Sequence, residues 1–548
     1  MRRLFLRTSM AVARQRYWRP VERLARRPDA AQRDVLQRLI AANRETRFGR
    51  EHDFAAIADA AQFRERVPVQ EYEQLRPYVE EQRRTGAPSL TAEPPRFYAQ
   101  TSGTTGRPKY IPITSSMLAM HRSEQALFSY LQYRARPDAF EGRSLGIMGA
   151  AVEGHLDSGH AIGSVSGHLY RSLPRVVQAR FVVPPEVSAI ADYDLKYFVI
   201  VCLALAAPDI TYMGSPNPST FLRLLDVMHD ERERLVHCLQ TGTIDRVNAL
   251  DDGVRREVSR RFRADPAGAA RLRSLRELTF ATVWPRLRLV TTWTGGSCGI
   301  ALGRLRRTLP PDTSIMELGY QSSECRGTLA LETDTAGGLP PLHHHFFEFV
   351  EPDSWQHGTP AFLTLDQLEL GRTYYVIVTT ASGLYRYFMN DLVEVTGFFH
   401  RTPLLRFVQK GRGVTSLTGE KLYEAQAIDA IQDVASRQGL APGFFLLVAD
   451  EEAAAYRVFI DGGNGNLPDT KTLAAAIDER LGELNVEYQG KRRSGRLGPL
   501  SLRWLSQGAF EAYKAACVRN GQREGQFKPT VLQYARDLVL SLDEHVRS

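Results

Sequence analysis

The sequence predicts an α/β architecture: a large layered domain followed by a small α+β domain. Three observations carry this. Between residues 144 and 292, apolar runs of strand length alternate with helix-length segments, the pattern of helices layered on a sheet. Three further strand-like runs between 374 and 408 make a β-rich region. After Lys410-Gly-Arg-Gly413 a fresh set of strands and helices begins, about 135 residues long, the size of an independent domain. Glycines at 411 and 413 allow free backbone rotation, so the boundary is placed there, giving domains 1–412 and 413–548.

Taken in order, residues 1–85 read as helical, with polar breaks at Arg27-Pro28-Asp29 and Phe48-Gly49. A proline-containing lead over 87–95 enters a strand at 96–99, and a second strand follows at 110–113. A helix is expected over 115–133, capped by serine, with Leu118, Leu127 and Leu131 on its apolar side. Then come a strand at 144–151, a helix at 194–206, a strand at 210–214 and a helix at 219–240. Val254, Val258 and Phe262 recur every four residues. The arginines between them (Arg255, Arg256, Arg260, Arg261) therefore form a solvated helix face, not a nucleic-acid patch. Strands at 287–292 and 314–318 end in Trp293-Thr-Gly-Gly-Ser297 and Gly319. The β-rich runs are 374–380, 392–395 and 404–408. In the small domain, strands at 444–448, 456–460 and 500–505 accompany helices at 471–484 and 509–520.

Composition narrows the classes. Hydrophobic residues are 43% and charged residues 24% of the 548, ordinary for a globular protein with a large core. A net charge of +8 helps draw in anionic substrates without implying nucleic acid. Five scattered cysteines, none in a Cys-x-x-Cys pair, read as reduced thiols of a cytoplasmic protein. The apolar run 197–207 is too short to span a bilayer, so no transmembrane segment is expected. The arginine-rich N-terminus lacks the apolar core of a signal peptide. It reads as a helix packed on its own domain, with a basic amphipathic helix touching a membrane as the alternative.

The chemistry begins between the strands at 96–99 and 110–113. Thr101-Ser-Gly-Thr-Thr-Gly-Arg-Pro-Lys109 combines four hydroxyls, two glycines and a lysine. Gly103 and Gly106 let backbone N–H groups turn inward and form a concave anion site. Hydroxyls of Thr101, Ser102, Thr104 and Thr105 add short donors, and Lys109 adds a mobile cation. This is a polyphosphate cradle, distinct from the Walker loop, in which Gly-Lys-Ser/Thr opens a helix.

A second motif, Met316-Glu-Leu-Gly-Tyr-Gln-Ser-Ser-Glu-Cys325, places Tyr320 at a strand end beside a glycine, suited to stacking on a base. Glu324 offers the hard oxygen that phosphate-bound magnesium prefers. In a third, Leu384-Tyr-Arg-Tyr-Phe-Met-Asn-Asp-Leu-Val-Glu-Val-Thr-Gly-Phe398, Asp391 can accept two hydrogen bonds from vicinal ribose hydroxyls.

The loop order resembles the phosphate loop of the adenylate-forming superfamily, and Tyr-x-x-Ser-Glu follows at the expected distance. With Thr46-Arg-Phe-Gly-Arg50, Val67-Pro-Val, Glu71-Tyr-Glu, Phe347-Glu-Phe-Val and Leu405-Arg-Phe-Val added, the chain resembles the Gretchen Hagen three (auxin-responsive) family of acyl-acid amido synthetases from about residue 40 to about 530. The resemblance implies a large adenylate-forming N-terminal domain and a small mobile C-terminal domain. Where the family has a glycine before the ribose-binding aspartate, this chain has Asn390, which tolerates the left-handed turn.

The resemblance further implies ATP and Mg2+ as cofactors and a two-step reaction. A carboxylate forms an acyl adenylate, then an amine, an amino acid in this family, takes the acyl group. Nucleotide contacts are expected from residues 101–106, from Tyr320, Gln321, Ser322, Ser323 and Asp391, and from Arg406. Gly419-Glu-Lys421 matches the acidic-Lys pair that the family places near the nucleotide. Lys109 and, in Gln526-Phe-Lys528-Pro, Lys528 are the catalytic cations, and Glu324 holds the metal. Coenzyme A or a carrier thiol as acceptor, and nucleotide binding without catalysis, stay open. Two tempting features are set aside. His343-His344-His345 on a strand would point to opposite faces and could not converge on zinc. Cys325 lacks a base partner and reads as a packed thiol.

Overall fold

The structure, a computed structural model, describes residues 2–101, 108–295, 298–411, 414–440, 442–462, 467–519 and 530–547. These form two compact units. The larger comprises residues 1–100, 110–296 and 302–409, and the smaller comprises 101–109, 297–301 and 410–548.

In the larger unit a four-stranded sheet runs in the order Arg143–Gly146, Ile210–Gly214, Leu289–Thr292, Ser314–Glu317, each neighbouring pair parallel. Helices cover both faces of such sheets, so their strands read as near-continuous apolar runs. The strand expected over 144–151 stops at Gly146. There Ile147 N donates to Gly214 O at 2.9 Å and the chain leaves the sheet. The helix expected over 219–240 is two, Ser219–Asp230 and Arg232–Thr241, with Glu231 (φ −108°, ψ 18°) between them. No glycine or proline marks that break.

A six-stranded sheet lies in the order Phe346–Val350, Thr373–Thr379, Tyr387–Phe399, Thr402–Lys410, Gly338–Leu339, Leu329–Ala330. Its strand Tyr387–Phe399 far exceeds the expected 392–395, because pairing resumes on the near side of a bulge. There Met389, Asn390 and Asp391 stand opposite the single residue Val376. The strands expected around the phosphate loop are Phe97–Thr101 and Lys109–Ile113, neighbours in a third sheet.

Helix Ser115–Ala135 begins one residue earlier in its capping than expected. Thr114, not serine, accepts from Met117 N at 3.2 Å. Ser115 and Ser116 donate their N–H groups to Glu93 instead. Near the N-terminus, Trp18 is buried with its ring 6.5 Å from Tyr130 and 5.4 Å from Phe399, so this helical segment packs on its own unit. Val254, Val258 and Phe262 are buried, and Arg255 and Arg260 pair at the surface with Asp252 and Glu257.

The smaller unit is built on the sheet Ser501–Leu505, Ala455–Asp461, Phe445–Asp450, Leu532–Tyr534. Its strand Phe445–Asp450 is apolar on both faces. Phe445, Leu447 and Ala449 join a core with helices Glu424–Arg437 and Thr470–Leu484, while Leu446 and Val448 join one with helix Ala509–Arg519. Among the described residues no helix is long and apolar enough to cross a membrane. The five cysteines are free thiols.

Candidate active site

Strands Leu289–Thr292 and Ser314–Glu317 end side by side, and the residues after each are tied together. Trp293 Nε1 donates to Gly319 O at 3.1 Å. Thr294 N donates to Glu317 Oε2 at 2.6 Å, the Thr294 hydroxyl donates to the same oxygen, and Gly319 N donates to Glu317 Oε1 at 3.0 Å. Glu317 is buried, and burial raises its carboxyl above the usual range even against these donors. Glu317 was not among the residues expected at the site. The available signal was a carboxylate interrupting an apolar strand two residues before a glycine.

Gly319 then turns the chain with φ +97°, where a Cβ would sit 2.2 Å from Thr328 O. Tyr320 follows, its N–H donating to Thr328 Oγ1 at 2.9 Å. Its ring rests against Gly327, where a Cβ would lie 2.1 Å from Tyr320 Cδ1, and stacks at 5.7 Å on Phe407. The Tyr320 hydroxyl donates to Asp391 Oδ2 at 2.6 Å. Burial, then the Asp391 charge, push the phenol well above its ordinary pKa, so it stays a donor.

Asp391 sits on the bulge described above, and Asn390 before it adopts φ +52°. A bulge beside a functional site re-aims a side chain, and here it turns Asp391 toward Tyr320. Arg406, on the adjacent strand, is hydrogen-bonded to Glu394. The Tyr320–Glu324 turn is closed by Ser322 N to Cys325 O at 2.9 Å, and Ser322 Oγ accepts from Glu324 N at 3.2 Å. Ser322 therefore builds the turn that carries Glu324, which is buried, while Gln321 and Ser323 are half-buried. Cys325 is buried, a packed thiol.

Behind the bulge lies an ion pair that sequence reading also missed. Arg386, in Leu384-Tyr-Arg-Tyr, has φ +46° and is fully buried. Its Nε donates to Glu348 Oε2 at 2.9 Å, and Nη1 donates to Val67 O at 2.8 Å. Arg64 Nε donates to the other Glu348 oxygen at 2.8 Å. The motif pattern Val67-Pro-Val and the motif Phe347-Glu-Phe-Val thus meet at one guanidinium.

The three histidines are not strand residues. Pro340-Pro341 opens a turn closed by His344 N to Pro341 O at 3.0 Å, and the strand starts only at Phe346. His344 Nδ1 is hydrogen-bonded to Glu124 Oε1 at 2.8 Å, and His121 Nδ1 to Glu124 Oε2 at 3.1 Å. Burial pushes the Glu124 carboxyl up, but the two imidazole contacts outweigh it and hold it well below its usual value.

In the smaller unit, Lys109 is buried with Nζ 5.8 Å from the centre of the Tyr423 ring. Lys421 N donates to Glu487 Oε2 at 3.2 Å. Thr101 ends its strand. Ser102, Gly103, Thr104, Thr105, Gly106 and Lys528 lie outside the described residues.

Comparison with known proteins covers most of the chain. The GH3 family N-terminal domain matches residues 18–313, the GH3 family central domain 339–410, and the GH3 family C-terminal domain 425–537. A probable indole-3-acetic acid-amido synthetase GH3.1 of Oryza sativa subsp. japonica is 26% identical over 96% of this chain and 91% of the relative. Indole-3-acetic acid-amido synthetase GH3.17 of Arabidopsis thaliana is 25% identical over 93% of this chain and 91% of its own length. Among solved structures, AtGH3.15 acyl acid amido synthetase in complex with 2,4-DB matches with a TM-score of 0.67 at 20% identity, covering 98% of this chain and 96% of that one.

Proposed function

Because the chain belongs to the GH3 family along its N-terminal, central and C-terminal domains, we propose that it is an ATP-dependent acid–amido synthetase. It joins a carboxylic acid, through an acyl adenylate, to an amine, with an amino acid as the acceptor its relatives' names point to. The observation that carries the reading is the 2.6 Å bond between Tyr320 and Asp391. It brings a base-stacking candidate and a ribose-binding candidate together just beyond the carboxyl end of a parallel strand, where open α/β sheets hold ligands.

In the first step a substrate carboxylate attacks the α-phosphorus of ATP and pyrophosphate leaves. Two anions must approach, so cationic groups and inward N–H donors lower the barrier most. The loop at 101–106 with Lys109 carries that role, and Lys421 and Lys528 supply further positive charge. Asp391 accepts from the ribose hydroxyls and Tyr320 covers the base, which fixes the line of attack. Magnesium held by one carboxylate plus phosphate oxygens is its usual mode with nucleotides, and the hard oxygens of Glu324 fit that set. When bound, the ion neutralises phosphate charge. In the second step the amine attacks the acyl carbon and AMP departs.

The test is carboxylate-dependent exchange of pyrophosphate into ATP across a panel of acids, beginning with indole-3-acetic acid and 2,4-DB, followed by an amino-acid screen. Exchange with at least one acid, and amide product with an amino acid, are expected. No exchange with any acid would overturn the reading, and product formed only with coenzyme A would replace the amine by a thiol. Removal of magnesium with EDTA should abolish exchange, and added Mg2+ should restore it.

A further inference from the structure

The loop that carries Lys421 is held more firmly than a surface turn requires. Glu420, the residue before it, is fully buried. Each of its oxygens accepts two hydrogen bonds. Oε1 takes Leu417 N at 2.7 Å and the Tyr456 hydroxyl at 2.8 Å. Oε2 takes Thr418 N and the Thr418 hydroxyl, both at 2.8 Å. Four neutral donors thus satisfy this carboxylate.

The donors are themselves anchored. Tyr456 lies on strand Ala455–Asp461, and its hydroxyl is also 3.0 Å from Thr415 Oγ1. Burial, then the Glu420 charge, push the Tyr456 phenol well above its ordinary pKa, so it remains protonated to donate. Ser416 N donates to the Tyr534 hydroxyl at 2.9 Å. On the far side the Lys421 peptide is gripped at both ends. Its N–H donates to Glu487 and its carbonyl accepts from Asn485 Nδ2 at 2.8 Å, two groups at the start of helix Val486–Arg493. Gly419, at φ +102°, makes the reversal between the two grips. Two residues on stands Tyr423, the ring beside Lys109 Nζ.

A buried carboxylate is an expensive way to shape a turn, because desolvation opposes it and only complete hydrogen bonding compensates. Its return is a backbone with one geometry. We propose that Glu420 is a positioning residue: it touches no substrate and fixes the peptide from which Lys421 projects, so that the lysine is delivered in a single orientation. The proposal rests on the reading of Lys421 as an active-site cation given above. It also turns the acidic member of the Glu420-Lys421 pair from a ligand contact into an internal brace.

Full-length Glu420→Ala, Glu420→Gln, Tyr456→Phe, Lys421→Ala and the Glu420→Ala/Lys421→Ala double variant separate the possibilities. Amide hydrogen exchange over residues 414–423 reads the loop, with the strand Phe445–Asp450 as internal control. AMP release from ATP, with indole-3-acetic acid and a mixture of the twenty common amino acids, reads the chemistry. Exchange in the loop should rise at least about tenfold in Glu420→Ala while the control strand stays protected. AMP release should fall by about 10²-fold in both single alanine variants and no further in the double, the mark of two residues acting as one. Glu420→Gln, keeping one acceptor oxygen, and Tyr456→Phe, losing one donor, should fall between these and wild type. Unchanged loop exchange in Glu420→Ala, or losses that multiply in the double variant, would overturn the proposal. Impaired Lys421→Ala beside intact Glu420→Ala sinks the positioning role alone. An intact Lys421→Ala instead sinks the assignment of Lys421, and the positioning role falls with it.

Discussion

A hydrogen bond of 2.6 Å between Tyr320 and Asp391 joins stretches of chain 71 residues apart. A bond to an ionised acceptor contributes about 1.5–3 kcal/mol. Tyr320→Phe should therefore lower kcat/KM for ATP by about 10- to 100-fold, measured by steady-state AMP release. A second residue-level test concerns the buried pair Arg386–Glu348, with side chains 2% and 1% exposed. Removing one partner strands the other without water. Glu348→Ala should cost about 3–5 kcal/mol in urea unfolding followed by circular dichroism. Replacing both by leucine and methionine should recover much of the loss. These two cases also show what was legible at this scale. Tyr320 and Asp391 could be singled out because their chemistry is read from residue type and neighbours. Glu317, Glu348 and Arg386 could not, because each works through a partner supplied by a different strand end or helix.

At the scale of elements, the bulge that presents Asp391 depends on Asn390 at φ +52°. Glycine there should leave the KM for ATP unchanged. Asn390→Val should cost about 1–2 kcal/mol, since β-branched residues resist left-handed backbone, and should raise that KM. Another element-level device is the Glu124 clamp, which ties helix Ser115–Ala135 to the turn before strand Phe346–Val350. Its carboxyl is held well below 4.5 in the fold, so its stabilisation is present above that pH and is lost as pH falls toward the lowered value. Glu124→Gln should flatten the acid limb of thermal stability measured between about pH 5 and pH 3. Element positions were mostly readable because apolar runs mark strands buried on both faces. The break at Glu231 carries no glycine or proline; its trace in the sequence is the polar run 229–234, which interrupts the apolar face between Met228 and Leu235. The histidine turn was signalled by Pro340-Pro341, whose fixed φ and missing N–H groups favour a turn before the strand that starts at Phe346.

For the molecule as a whole, the parallel sheet sets out its strands in chain order, and Trp293, Thr294, Gly319 and Tyr320 leave the ends of its last two. That placement was implied in outline by strand-end glycines in the sequence. The bonds that lock the two ends to Glu317 needed coordinates, because a carboxylate spent inside the protein has the same letter as one offered to a ligand.

The order of that sheet has a consequence for how such a protein can change. The chain departs after Gly146 and Gly214 on two long detours, residues 147–209 and 215–288, before reaching the strand pair that Glu317 laces shut. Mutations can accumulate along those detours while the lacing stays untouched. Exchanging a detour between cousins is thus a graft that leaves Glu317 and its three donors in place.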